Sequence, residues 1–167
     1  MNFALLYGMG YKKYRTYSAQ SGKVLSYSEA KLEHAAFHRA YPALKTWHKQ
    51  MADVVSDGWT YSRTATGRRR LLSYDDASMM VACNNIIQGA GADILKIALS
   101  YLVEHLNDEC KLIACVHDEI VIEAKEDKVD HYKEILEDCM KRGGEKILKE
   151  VPVLADAATG ENWAEAK

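Results

Sequence analysis

Leu112-Ile113-Ala114-Cys115-Val116-His117-Asp118-Glu119-Ile120-Val121-Ile122-Glu123-Ala124 consists of two apolar runs around a charged centre. Residues 112–116 and 120–124 have the length and composition of short strands, and the three residues between them leave room only for a tight turn. The stretch reads as a β-hairpin with His117, Asp118 and Glu119 at its tip. Carboxylates held against an apolar sheet have raised pKa values and cost free energy unless a cation compensates. Two of them side by side suit a hard divalent ion with oxygen ligands, Mg²⁺ rather than Zn²⁺. A solvated hairpin tip would carry the same residues with no chemical purpose, and this stretch alone does not choose between the two.

Working outward, the residues downstream predict a helix from Lys128 to about Lys149 and a last strand over residues 151–154, before the closing Gly160-Glu161-Asn162-Trp163. Upstream, Asp75-Asp76 starts a helix of about 30 residues that runs through Asn84, Gln88 and Leu95 to about Asn107. Gly89 and Gly91 inside it predict close approach of another backbone or a ligand. A second hairpin is expected before that helix, from residues 59–64 and 68–73 joined around Ala65-Thr66-Gly67 and preceded by an Asp57-Gly58 turn. Further upstream, Leu44, Trp47, Met51, Val54 and Val55 mark the buried stripe of a helix over residues 42–56. Ser26 or Ser28 caps a helix beginning near Glu29 with Leu32, Ala36 and Ala40 apolar. Residues 11–23 read as a polar loop with a short helix, and residues 1–8 as the last turns of an amphipathic helix ending at Gly8 and Gly10. Helices, hairpin, long helix, hairpin, helix and strand in this order make an α+β protein, its helices packed on a small antiparallel sheet.

The 167 residues, 48% hydrophobic and 28% charged, fit one soluble globular domain. No stretch approaches the roughly 18 apolar residues that suggest a membrane span, and the start has no signal-peptide pattern. Cys83, Cys110, Cys115 and Cys139 form no CxxC pair, which points to buried thiols in a reduced, cytoplasmic protein. Charge is segregated: residues 1–72 hold 12 Lys/Arg against 4 Asp/Glu, +8, and residues 73–167 hold 10 against 20, −10. The basic half could face a polyanion such as nucleic acid, or could be an ordinary solvated face.

Three other groups carry chemistry. Asn84 and Gln88, i and i+4, share one helix face: they could contact base edges in a minor groove without burying charge, or form an ordinary polar stripe facing solvent. Phe3 and Tyr7, also i and i+4, could stack on flat bases or belong to a core. In Gly67-Arg68-Arg69-Arg70, strand alternation puts Arg68 and Arg70 on one face and Arg69 on the other, so at least one face meets solvent or phosphate.

Together, in this order, these segments resemble the family A (DNA polymerase I-like) DNA polymerases. Asn2-Phe3-Ala4-Leu5-Leu6-Tyr7-Gly8 looks like the end of the fingers helix, motif B, with Ala4 where Gly is usual. Gly67-Arg68-Arg69-Arg70 and the Asn84 to Asp93 segment match palm and primer–template segments, Val116-His117-Asp118-Glu119 looks like motif C, and Gly160-Glu161-Asn162-Trp163 resembles the usual C-terminus. The resemblance covers essentially the whole chain. It implies that residues 1–56 are the end of the fingers with the helices that follow, and that residues 57–167 are the C-terminal part of the palm.

The resemblance also implies roles. Asp118 would be a catalytic carboxylate and metal ligand in a two-Mg²⁺ nucleotidyl transfer to a primer 3′-hydroxyl, with Glu119 beside the metals. His117 would contact the primer terminus, Asn84 and Gln88 the duplex minor groove, and Arg68 and Arg70 the DNA backbone. Phe3 would pack on the incoming dNTP, where a Phe disfavours dideoxynucleotides, and Tyr7 would stack near the templating base. The implied partners are a DNA primer-template, dNTP and the upstream remainder of the polymerase, with no membrane; self-association through an open sheet edge is a further expectation. Met80 stands where the family commonly has an arginine touching DNA, and residues 11–23 look longer than the usual connection. The motif A aspartate and the fingers Arg and Lys that hold the triphosphate precede Asn2 in the family, so the 167 residues alone are expected not to polymerise. Two other readings are a non-catalytic DNA-binding remnant and a small metal-dependent phosphohydrolase built on His117-Asp118-Glu119, for which Asp75-Asp76 is the sole second acidic cluster.

Overall fold

The computed structural model describes residues 2–56, 61–72 and 78–166. Among the described residues are six α-helices and two separate two-stranded antiparallel sheets, an α+β architecture. The chain divides into two compact units, residues 1–87 and 88–167, the boundary falling inside a long helix.

The first unit opens with α1 (Asn2–Leu6), which ends because Gly8 takes φ +81, a left-handed conformation that glycine adopts at no cost. The Gly8 N–H then bonds to Leu5 O and the Met9 N–H to Ala4 O, the paired bonds of a Schellman cap, with Ala4 and Met9 both buried beneath it. Ala4, Leu5 and Met9 join Tyr14, Leu25 and Ala30 in one core cluster, with Phe37 and Met80 packed against it. Residues 11–23, expected as mostly loop, instead form α2 (Tyr11–Gln20). Its buried positions are Tyr14 and Ser18, so no aliphatic periodicity marked it; the Tyr14 hydroxyl donates to Glu33 Oε2 at 2.9 Å. Lys23 Nζ donates to the other Glu33 oxygen at 2.7 Å, and these two bonds hold the Glu33 pKa down.

Ser26 caps α3 (Tyr27–Ala40) through a reciprocal capping box with Glu29, worth about 1 kcal/mol. The face differs from expectation: Ala30 is the buried residue, whereas Leu32 is 66% exposed and Ala36 and Ala40 are exposed. Glu33, His34 and Phe37 lie on the inward side with Ala30. In α4 (Pro42–Ser56) the expected stripe is only half-buried, and the buried residue is His48, whose Nε2 lies 2.8 Å from Leu6 O. His34, His38 and His48 meet edge to face, with ring centroids 4.6 and 5.6 Å apart along the series. Burial lowers the pKa of His34 and of His38.

The strands β1 (Tyr61–Arg63) and β2 (Arg69–Leu71) pair antiparallel as the sequence predicted. Gly67 N–H bonds to Thr64 O, Thr64 N–H bonds to Arg68 O, and Gly67 has φ +87, a tight turn followed by a left-handed glycine. The expected 57–58 turn, the outer ends of both strands and the helix start at Asp75-Asp76 lie outside the described residues. α5 (Met79–Leu102) follows, continued by a 3₁₀ turn. By length and composition residues 79–105 could cross a bilayer. Counting uninterrupted apolar residues misses this, because Asn84, Asn85, Gln88 and Asp93 interrupt the run.

In the second unit β3 (Cys110–Val116) and β4 (Glu119–Ala124) form the expected hairpin, followed by α6 (Val129–Ile147). Leu102, Ala98, Cys110, Tyr132 and Cys139 are its most buried residues. Tyr132 and Asn107 exchange hydrogen bonds at 2.9 and 3.2 Å, fastening α6 to the base of the hairpin. Gly91, expected to mark a close approach, has open space around it, and Gly143 marks one instead. A Cβ there would lie 2.9 Å from both Ala98 N and Ile94 O, so α6 meets the α5 backbone directly. Residues 151–154 are not a strand: Pro152 has no N–H to give a ladder, Val153 packs on Gly144, and Val151 and Leu154 are exposed. The tail is held by the Ala157 N–H donating to Glu137 Oε1 at 3.0 Å.

Candidate nucleic-acid interface

The β3–β4 tip is a two-residue connection, since Val116 pairs with Glu119. His117 sits at φ +57, the one non-glycine at positive φ among the described residues. Such a conformation costs about 1–2 kcal/mol in a residue with a side chain. Strain kept at a turn marks a place where the side chain's identity matters more than the turn's ease. His117, Asp118 and Glu119 are all exposed. A bulge at Ile113 shifts the register of β3 between Leu112 and Ala114. The bulge restores the pairing of Cys115 with Ile120 and Val116 with Glu119, so it sets which face each residue near the tip occupies. Simple alternation could not reveal it.

Asn84 and Gln88 are exposed and one turn apart on α5, as expected. Met80, one turn earlier, is partly buried against the first unit's core, so it has become a packing residue. On the first hairpin Arg68, Arg69 and Arg70 are exposed. Ser62 pairs with Arg70, and Thr64 bonds to Arg68, so Arg68 and Arg70 share a face with the buried Ser62 and Thr64. On the other face the guanidinium groups of Arg63 and Arg69 lie 5.1 and 4.8 Å from the Tyr61 ring centroid. Arg63 also donates to the Tyr61 hydroxyl, which lowers that phenol's pKa. Tyr7 is half-buried, one residue beyond the end of α1. The side chain of Phe3 lies outside the described residues.

Three local groups result: the acidic tip, the amide pair on α5 and the arginine ribbon. Among the described residues no set of three or more His, Cys, Asp or Glu side chains converges as a metal site. Asp118 and Glu119 offer hard oxygen donors of the kind Mg²⁺ takes, but too few to hold it, and no step through a metal follows from these residues alone. Of the four free cysteines, Cys83, Cys110 and Cys139 are buried and Cys115 is exposed on β3. Burial pushes the Cys83 thiol up to about 11, which makes it inert at neutral pH. A cavity of about 340 Å³ lies apart from the tip, lined by Tyr101, Arg142, Glu145, Lys146 and Lys149. Arg142 rests on the Tyr101 ring and Lys149 donates to Glu145 O, so these two cations serve the end of α6. Sequence reasoning missed Asn85, which is 6% exposed and donates to Ser62. The missed signal was a second amide at a position on the buried side of α5.

The DNA polymerase family A model matches residues 1–165. The chain belongs to this family. It is 36% identical over 168 residues to DNA polymerase I of Aquifex aeolicus, covering 98% of this chain and 29% of that protein. It is 29% identical to the thermostable DNA polymerase I of Thermus filiformis, covering all of this chain and 20% of that one. The family A chain thus spans less than a third of the length of these relatives. Among solved structures it is similar to the POL domain of Pol1 from M. smegmatis, in complex with a DNA primer-template and dNTP. There the TM-score is 0.71 at 25% identity, over 86% of this chain and 26% of that one.

Proposed function

We propose that these residues are the C-terminal segment of the polymerase domain of a DNA-directed DNA polymerase acting in replication or repair in the cytoplasm. The observation that carries this reading is the end-to-end family match of a chain whose one strained non-glycine turn, among the described residues, holds His117 beside Asp118 and Glu119. In it, Asp118 is the catalytic carboxylate and supplies one donor toward Mg²⁺, the ion that would stabilise phosphoryl charge when bound. The remaining donors come from polymerase sequence upstream of motif B. Glu119 flanks Asp118, and His117 meets the primer terminus. Asn84 and Gln88 contact the minor groove, where acceptors are alike in all base pairs, and so check pairing without reading sequence. Arg68 and Arg70 bind backbone phosphate. Phe3 and Tyr7 belong to the nucleotide and template side. The open β3–β4 ribbon, with Leu112 and Ile113 exposed, is where the upstream part or a second copy docks.

The 167-residue chain alone gives no primer extension with Mg²⁺ and dNTPs. Fused behind the part of the Aquifex aeolicus relative that precedes the matched region, it extends primers. Asp118→Ala in that fusion lowers extension by roughly 10²–10³-fold or more while primer-template binding persists. Extension by the lone chain, or by the Asp118→Ala fusion, overturns the assignment.

A further inference from the structure

Asn85 sits on the buried side of α5, one residue after the exposed Asn84. Its Nδ2 donates to Ser62 Oγ at 2.6 Å, across 23 residues of sequence. Ser62 is 4% exposed and lies directly opposite Arg70 in the β1–β2 ladder. Two polar side chains are therefore buried against each other where two apolar ones would pack with little loss of stability. What a hydrogen bond adds over an apolar contact is direction. It holds one azimuth and one register, and a flat apolar contact allows several.

We infer that Asn85 is a positioning residue: its bond to Ser62 fixes the β1–β2 ribbon on α5, and so fixes the offset between the ribbon's Arg68 and Arg70 and the helix's Asn84, letting both engage one DNA duplex. The inference rests on the proposed DNA-binding reading for its purpose. The ribbon needs such a fastening. Each strand has three residues, and an isolated two-stranded hairpin is marginal in water. Its β2 strand is exposed throughout, so Ser62 on β1 and Thr64 just beyond it supply its buried contact. Asn85 reaches the middle residue of β1, where one bond can stop rotation of the whole ribbon.

The test uses the 167-residue chain and a fluorescent primer-template duplex. Ser62→Ala/Asn85→Leu removes both partners and leaves an apolar pair, so the melting temperature stays within a few degrees. Hydrogen exchange over residues 61–71 rises several-fold in this variant. Duplex affinity falls several-fold, and the slope of log K against log salt shrinks by about 1 as an arginine loses its phosphate. Ser62→Thr keeps the hydroxyl and matches the parent in both readouts. Unchanged exchange and affinity in the double variant overturn the inference. Raised exchange with unchanged affinity overturns its link to DNA. A parent chain that binds no duplex refutes the proposed DNA-binding reading, and exchange alone then decides whether Asn85 holds the ribbon.

Discussion

The two hairpins solve the same geometric problem differently. Each must turn an antiparallel pair through a left-handed residue: Gly67 at φ +87 in one, His117 at φ +57 in the other. The first turn is relaxed, and its chemistry lies along the strands as Arg63, Arg68, Arg69 and Arg70. The second is strained, and its chemistry is the turn itself. A relaxed turn tolerates sequence change at its tip as long as the glycine stays. A strained turn keeps a side chain where glycine would be easier, which is a cost on the order of 1–2 kcal/mol borne for position.

The sharpest break between the two is in DNA binding. If the ribbon's charges hold phosphate and the tip's carboxylates do not, Arg68→Ala/Arg70→Ala lowers primer-template affinity about tenfold or more at 0.15 M salt and reduces the salt slope by about 2. Asp118→Asn leaves affinity unchanged or raises it, since it removes a negative charge facing a polyanion. Fluorescence anisotropy across a salt series reads both. Equal losses in the two variants would erase the functional contrast between the hairpins.

Stability should separate them with opposite signs. Gly67→Ala forces a Cβ into the left-handed region and costs about 1–2 kcal/mol, lowering the melting temperature by roughly 2–8 °C. His117→Gly relieves similar strain but loosens the unfolded chain, so it gains less than about 1 kcal/mol. A His117→Gly variant that melts lower than the parent would show that the imidazole's contacts outweigh its backbone strain.

Much of this contrast was legible in the sequence. Both hairpins and the long helix follow from apolar runs bounded by turn residues, and the Asn84–Gln88 face follows from helical spacing. Their positions answer to local chemistry, which a chain displays openly. What stayed hidden depends on partners distant in sequence. α2 buries Tyr14 and Ser18 against groups that only tertiary contact supplies. The bulge at Ile113 depends on the partner strand's register. Gly143 differs from Gly91 only in having the α5 backbone against it. Residues 151–154 look like a strand until the lack of a neighbour to pair with is known. The acidic tip was recognisable by residue type, but among the described residues no set of three or more metal-ligating side chains converges there.

Acid distinguishes the units that carry the hairpins, with the smallest effect. The first unit packs His34 and His38 beside His48, and burial depresses the pKa of both His34 and His38. His34 is pulled partly back by a bond to the Met9 backbone, while Lys45 adds repulsion at His38. A histidine whose folded pKa lies below its unfolded value of about 6.5 is neutral in both states above that pH, and stability is then full. As pH falls below about 6.5 the unfolded chain binds protons that the folded one refuses, and stability is lost until the folded pKa values are passed. In the second unit burial raises the pKa of the thiols Cys110 and Cys139, so these two carry no charge in this range. Hydrogen exchange at pH 7.5 and pH 5.5, corrected for intrinsic rates, should therefore show protection falling around α3 and α4 while α6 holds. Replacing His38, whose Nδ1 is buried with no hydrogen-bond partner, with Gln should flatten that difference. Equal loss in both units would mean that acid acts on carboxylates throughout, and that the imidazole cluster is an ordinary piece of core.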